Sequence, residues 1–271
     1  MNKQDFCNDF STVAAIVPAG GAGSLSNGKP KVLEEIAPGR SILGHILQVL
    51  LTLGLGQIVV VVNSFLFREM IQDHLRTEGF DNHVTWALQH WRLGAAEAVA
   101  VGLEKLREEI NTVLVTYGDM PLWRAQTFRE LLTMQRYALA DVAMMYVPLS
   151  HKVPETIKQY GRIVADEEGG IMQIFELGDE INVDPKRVYA TNPSLYAFSK
   201  GFVTRNLRLI PMRSKGDGHE PEFHLPYLIG IARSEGVPIT AVEVTDPEEA
   251  LGVNTQEDLE EVRQVLARRK V

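Results

Sequence analysis

The chain has almost no cysteine: Cys7 is the single one among 271 residues. No internal disulfide can form, and a thiol set in a polar leader is not expected to be catalytic. A reducing, cytoplasmic setting fits this composition. Positive charge is also short. The 27 Lys and Arg stand against 35 Asp and Glu, for a net charge of −8. That argues against a nucleic-acid partner or an anionic membrane surface and leaves room only for a local basic pocket. Long apolar runs are missing, and none approaches the ~20 residues of a membrane-spanning helix. The small apolar stretch after Thr12 follows Asp5 and Asp9, where a secretion signal carries positive charge. The seven histidines show no zinc spacing, and no nucleophile-elbow context surrounds Ser24. No repeat, low-complexity tract or dividing linker breaks the chain.

What is present is alternation. Short β-branched runs at Thr12–Val17, Gln57–Val62, Val84–Leu88 and Thr112–Tyr117 read as strands. Helical patterns stand between and after them at Ser41–Leu53, Leu66–Leu75, Ala95–Leu106 and Thr127–Tyr137. The run QIVVVV is apolar throughout, as for a strand buried on both faces. This order predicts an α/β fold with a mostly parallel sheet and right-handed crossovers. From Asp141 the order changes. Strands are expected at Val142–Val147, Gly161–Val164, Ile171–Phe175, Val188–Phe198 and Ile239–Val244, and a helix at Glu222–Arg233. Thr255 and Asp258 form a capping-box pattern that opens a last helix with Leu259, Val262 and Leu266 inward. Lys215–Glu220 is the most loop-like segment and is expected to be a mobile flap.

Two segments carry chemistry. Gly20, Gly21 and Gly23 follow the first strand, and such a turn lets backbone N–H groups approach an anion with no Cβ in the way. The spacing is neither a dinucleotide fingerprint nor a P-loop. On spacing alone, a plain tight turn explains it equally well. Lys31, fixed behind Pro30, is either a point charge for the same anion or a solvated surface lysine. Asp119 ends a buried strand on a glycine turn. It either holds a hard cation at the carboxyl edge of the sheet or caps a turn.

At these segments the chain resembles the sugar-1-phosphate nucleotidyltransferases. The likeness is greatest to the N-acetylglucosamine-1-phosphate uridylyltransferase (UDP-GlcNAc pyrophosphorylase) domain of the bifunctional enzyme. The family's L-A-A-G…P-K-V-L appears as Val17-Pro18-Ala19-Gly20…Pro30-Lys31-Val32-Leu33. Gln89-His90-Trp91-Arg92-Leu93-Gly94 is similar to the Q-x-x-x-L-G segment that reads uracil. Tyr117-Gly118-Asp119-Met120-Pro121-Leu122 is similar to Y-G-D-x-P-L, whose aspartate holds Mg²⁺. Tyr160-Gly161-Arg162-Ile163, Ile174-Phe175-Glu176, Thr191-Asn192 and Gly252-Val253-Asn254 follow in the family's order.

The resemblance implies a Rossmann-like α/β/α sandwich with a mixed, mostly parallel sheet. Its substrates would be a nucleoside triphosphate, UTP favoured, and a sugar 1-phosphate. Mg²⁺ would sit on Asp119 and Asn254. Lys31 and the turn Ala19, Gly20, Gly21 and Gly23 would hold phosphates. Gln89, Gly94 and Tyr117 would lie at the nucleotide, and Gly161, Glu176 and Asn192 at the sugar. Residues 1–10 would be a leader. Residues 11–271 would form one domain, with a nucleotide half to about 140, a sugar half to about 254 and a closing helix to about 269. The bifunctional enzyme's hexapeptide-repeat acetyltransferase region has no counterpart, so acetyl transfer is not expected. The oligomeric state is left open.

The chain departs from the family in four places. The T-R after the glycines is absent; Gly23-Ser24 or Ser24-Leu25 stands there, and Lys29 is the nearest candidate to take over. Gly94-Ala95 replaces Gly-Thr, Pro193 follows Asn192 in place of the family glycine, and Glu176-Leu177-Gly178 lacks a usual lysine. The family's arginine grips the triphosphate, so its loss predicts impaired catalysis and makes a binding-only homologue the alternative.

Overall fold

The computed structural model describes residues 9–21, 25, 28–63, 65–91, 93–150, 152–176, 179, 184–213 and 221–269. Gly23, Arg92, Leu177, Gly178, Cys7 and the expected flap at 215–220 lie outside the described residues.

The strands are β1 (Val13–Pro18), β2 (Glu35–Ala37), β3 (Arg40–Ser41), β4 (Gln57–Val62), β5 (Thr85–Leu88), β6 (Thr112–Val115) and β7 (Val142–Pro148). They continue with β8 (Arg162–Ala165), β9 (Ile171–Phe175), β10 (Val188–Thr191), β11 (Tyr196–Ser199), β12 (Met212–Arg213), β13 (Glu222–Phe223) and β14 (Ile239–Glu243). The helices are α1 (Ile42–Leu51), α2 (Phe65–Thr77), α3 (Ala95–Leu103), α4 (Ala125–Tyr137), α5 (Glu155–Lys158), α6 (Lys200–Asn206), α7 (Tyr227–Ser234) and α8 (Gln256–Arg269).

One large sheet runs in the order β5-β4-β1-β6-β11-β7-β10-β8-β9, with β14 also paired to β7. Strands β1, β4, β5 and β6 are parallel to one another. Strand β11 runs against both β6 and β7, β14 lies parallel to β7, and β10 opposes β7 and β8. The sheet is thus mixed, with β11, β10 and β9 opposing the common direction.

Its apolar faces follow the period of two. Val13, Ala15 and Val17 join Val60 and Val62 in one core, under α1, α4 and α8. Ile16 joins Val59, Val61, Val113 and Val115 in the other, under α3 and α7. Two buried faces give three layers, which is why the QIVVVV run shows no alternation.

The strand order changes direction at β1, since β4 and β5 lie on one flank and β6 on the other. That is a topological switch point, where the carboxyl ends of the strands open a crevice.

Two expectations are corrected. Val188–Phe198 is not one strand: Asn192, Pro193, Ser194 and Leu195 separate β10 from β11. Pro193 lacks a ladder donor, and Ser194 is in the left-handed region with φ 57°. The expected helix at Glu222–Arg233 begins only at Tyr227, after Pro226; Glu222 and Phe223 pair with β12 instead. Helix α6 and the small β2–β3 hairpin were not anticipated. The capping box is reciprocal: Asp258 N–H donates to Thr255 Oγ1 at 3.1 Å, and Thr255 N–H to Asp258 Oδ2 at 2.8 Å. Leu259, Val262 and Leu266 face inward.

Candidate functional site

The ends of β1, β4 and β6 leave the sheet pressed together. Ala19 N–H donates to Val61 O at 2.8 Å, and Gly118 N–H donates to Pro18 O at 2.9 Å. A Cβ on Gly20 would lie 2.7 Å from Asn63 N, so this position excludes a side chain. Gly20 and Gly21 line a hollow of about 340 Å³ at this rim. Ala19 does not line it: the residue is buried and its N–H is committed to the sheet.

Beside the glycines, Lys31 begins a short 3₁₀ turn behind Pro30 and is 8% exposed. The solvated-surface alternative for it is therefore excluded. Its Nζ lies 2.7 Å from Asp119 Oδ2 and donates to Asn254 Oδ1 at 2.8 Å. Three distant segments meet at this ammonium.

Each partner is held by its own supports. Asp119 O accepts from Val253 N–H at 2.9 Å. Tyr160 OH accepts from Gly252 N–H at 3.0 Å and donates to Ala250 O at 2.9 Å. Asn254 N–H donates to Asp258 Oδ2 at 2.9 Å, and Thr156 Oγ1 donates to Asp258 Oδ1 at 2.7 Å. The α8 capping box thus also fixes the loop that carries Asn254. Burial tends to raise the Asp258 carboxyl, but the bonds from Thr156, Asn254 and Thr255 outweigh it and hold its pKa below the usual range.

The donor chemistry suits a hard cation. A carboxylate oxygen and an amide oxygen already converge on one positive group, here the Lys31 ammonium. Mg²⁺ takes such oxygens and fills its remaining positions with water and phosphate. Among the described residues no group of three or more His, Cys, Asp or Glu forms a self-sufficient metal cage. The residues present fit a cation whose other ligands come from a substrate.

The first hollow is closed on one side by Gln89 and Gly94. Gln89 is buried and its Nε2 donates to Gly94 O at 3.1 Å. Gly94 has φ +93°, and a Cβ there would lie 2.8 Å from Phe223 O. Glu222, packed against Gly94, lines the hollow with His224 and Leu225. Tyr117 stands between the carboxylates: burial first, then Glu176, Asp119 and Glu222, push its phenol far above its ordinary pKa. Among the described residues this wall holds Asp119, Glu176 and Glu222 but no lysine or arginine. Lys29 is not the replacement: it lines a separate hollow with Met70, Asp73 and His74.

A second hollow, about 310 Å³, adjoins the first and shares Tyr117, Asp119, Glu176 and Ser194 with it. Gly161, Asn192 and Asn254 complete its wall. A Cβ on Gly161 would lie 2.8 Å from Glu176 Oε1, so the glycine gives that carboxylate its place. Asn192 N–H donates to Gly161 O at 2.9 Å. Its Oδ1 accepts from Tyr196 OH at 2.9 Å and from Ser194 N–H at 3.1 Å.

The described members of the sequence-predicted set therefore gather at one rim, with Ala19 just behind it; Gly23 lies outside the described residues. Asn63, Ser194, Glu222 and His224 were missed. Asn63 directly follows β4 at the switch point and was open to prediction from that position. Glu222 and His224 were hidden by the mistaken helix.

Comparison with known proteins gives a consistent picture. The family model described as a MobA-like NTP transferase domain matches residues 15–161. The "Bifunctional protein GlmU" of Halorhodospira halophila is 32% identical over 260 residues, covering 95% of this chain and 50% of that protein. The protein of the same name from Thermobifida fusca is 33% identical over 258 residues, covering 93% and 50%. The chain spans about half the length of these curated relatives. Among solved structures, a CMP:2-keto-3-deoxy-manno-octonic acid synthetase complexed with CTP superposes with TM-score 0.66 at 17% identity, covering 95% of this chain and 99% of that one. The 4-diphosphocytidyl-2C-methyl-D-erythritol synthase from Anaerococcus prevotii gives TM-score 0.64 at 17% identity, covering 96% and 100%. At that identity these two speak for the fold.

Proposed function

Because the chain belongs to the family of MobA-like NTP transferases, we propose that it joins a nucleoside triphosphate to a sugar 1-phosphate and releases pyrophosphate. UTP and an N-acetylglucosamine 1-phosphate-like sugar are the favoured pair. The observation that supports this reading is the convergence of Lys31, Asp119 and Asn254 where the two hollows meet.

In this reading the first hollow takes the nucleotide and the second takes the sugar. A sugar-phosphate oxygen attacks the α-phosphorus in line. The bond from that phosphorus to the bridging oxygen breaks, and pyrophosphate leaves with the electron pair. No protein nucleophile is required, since the attacking phosphate is already an anion. Rate comes from positioning and charge neutralisation. Gln89 and Gly94 hold the base edge, Gly20 and Gly21 admit the phosphates close to the backbone, and Glu176 and Asn192 face the sugar. Lys31 neutralises phosphate charge. Asp119 and Asn254 would hold Mg²⁺, which when bound supplies Lewis-acid charge neutralisation.

A second reading has a specific basis. The described wall of the nucleotide hollow carries three carboxylates and no lysine or arginine. The arginine expected after the glycines is absent from the sequence. Both fit a homologue that binds nucleotide or sugar nucleotide without efficient turnover.

A matrix of four nucleoside triphosphates against several sugar 1-phosphates, read by pyrophosphate release, separates the two. Turnover with UTP and an N-acetylhexosamine 1-phosphate is expected. Calorimetric binding of UTP with magnesium, but no release across the whole matrix, would favour the second reading.

A further inference from the structure

Glu176 stands in the wall common to both hollows, yet its own strand does not hold it there. The β8–β9 ladder ends one residue earlier, where Phe175 pairs with Arg162. Its backbone is fixed from further along the chain. Asp179 Oδ2 accepts from Glu176 N–H at 2.8 Å, and Asp179 N–H donates to Glu176 O at 3.0 Å. The Tyr227 hydroxyl then lies 2.8 and 2.9 Å from the two Asp179 oxygens. Tyr227 opens α7, the helix that packs on β9. At its far end α7 is tied back to the turn between β8 and β9 by the Arg233–Asp166 ion pair. Burial first, then the Asp179 contact, hold the Tyr227 phenol well above its ordinary pKa, so the hydroxyl stays a donor throughout the working pH range.

We propose that Tyr227 and Asp179 are positioning residues for Glu176, and that they set how tightly the second hollow holds its ligand. This rests on the assignment of that hollow to the sugar 1-phosphate. A carboxylate that accepts from sugar hydroxyls must be held to within a fraction of an ångström, and here the backbone bearing it is bonded to Asp179, which Tyr227 holds in turn. The same tyrosine also touches the nucleotide wall. The His224 ring meets it edge-on, with centroids 5.9 Å apart and an interplanar angle of 86°. Tyr227 thus lines neither hollow, while it touches His224 of the first and the Asp179 that bonds Glu176.

The test is steady-state kinetics on the full chain with Tyr227→Phe, Asp179→Asn and the double variant. The sugar 1-phosphate and the nucleoside triphosphate are varied separately. Each single variant is expected to raise KM for the sugar 1-phosphate by about five- to tenfold, the scale of one lost intramolecular hydrogen bond. KM for the nucleotide should stay within about twofold, and the double variant should be no worse than either single one, because the pair acts as a unit. Amide hydrogen exchange at Glu176 should quicken in Tyr227→Phe without any substrate present. A wild-type enzyme whose sugar KM is unmoved by either change, or whose two KM values move together, overturns the positioning role alone. A wild-type chain that turns over no sugar 1-phosphate overturns the functional reading and this inference with it.

Discussion

Lys31 Nζ lies 2.7 Å from Asp119 Oδ2, with Lys31 almost wholly buried and Asp119 partly open to the hollows. Neither residue is placed by its neighbours in sequence for the sake of the other. The pair exists because β1 and β6 are adjacent and parallel, so the segments that leave them travel together. Lys31 lies in the wall of neither hollow, while Asp119 lies in both. The ammonium is therefore paired with Asp119 before any substrate enters the hollows.

The proposed chemistry depends on both members. Asp119→Asn keeps the shape and removes the charge that a divalent ion needs. Pyrophosphate release is expected to fall by about 100-fold or more, the scale on which one electrostatic contact to a transition state counts. Lys31→Met should cost a similar factor. An Asp119→Asn enzyme with an unchanged rate and unchanged magnesium dependence would remove the metal assignment.

Gly94 tests the base wall by a different physics. Its φ of +93° is a region that side chains rarely enter, and a Cβ would meet Phe223 O at 2.8 Å. Gly94→Ala is expected to destabilise the fold by about 1–3 kcal/mol, through strain and forced displacement of β13. It should also raise KM for the nucleotide, since Gln89 is held by Gly94 O. Urea unfolding midpoints and nucleotide titrations check the two parts independently. A variant as stable as wild type would show that the hairpin yields without cost.

These residues show what was legible in the sequence. Strands β1, β4 and β6 declared themselves because burial on both faces selects unbroken apolar runs. Helix α8 declared itself because Thr255 and Asp258 satisfy each other's backbone locally. The break between β10 and β11 falls at the polar Asn192-Pro193-Ser194, which separates two short apolar runs. The start of α7 differs from the sequence expectation because Glu222 and Phe223 pair with β12 and Pro226 sets the helix limit. Lys31, Asp119 and Asn254 were brought together only by the order of family motifs, since no spacing rule links three such distant positions. The Tyr227–Asp179 pair had no sequence signal at all, being a contact between two unpatterned polar residues.

Acid should loosen the sheet end that carries Glu176. Asp166 accepts from Gly170 N–H at 2.7 Å and Glu168 N–H at 3.1 Å, and pairs with Arg233. Desolvation tends to raise its carboxyl. The Gly170 bond, Arg233, the Glu168 bond and Arg187 together bring it below the ordinary aspartate range. A folded-state pKa below the unfolded one contributes stability above the unfolded value and loses it as pH falls through the folded value. The difference in melting temperature between wild type and Asp166→Ala should therefore be largest above about pH 5 and shrink steadily as pH drops below about 4. A gap that stayed constant to pH 2.5 would mean that the residue acts through shape alone.

Glu222 offers the sharpest division between two roles for one wall. Its side chain lines the nucleotide hollow with Asp119 and Glu176, and no lysine or arginine among the described residues shares that wall. If its charge acts only through space, it repels a triphosphate. Removing one unit charge several ångströms from a partly neutralised polyanion, near a solvent-open surface, is worth about 1 kcal/mol, or roughly fivefold in affinity. Glu222→Gln should then bind UTP with magnesium more tightly at low ionic strength, and the advantage should fade as salt shortens the screening length. If the carboxylate instead accepts a hydrogen bond from the base or ribose, the same substitution weakens binding, and salt leaves the loss in place. Calorimetry at two salt concentrations distinguishes these outcomes, and the expected result is the first: tighter binding that salt erases.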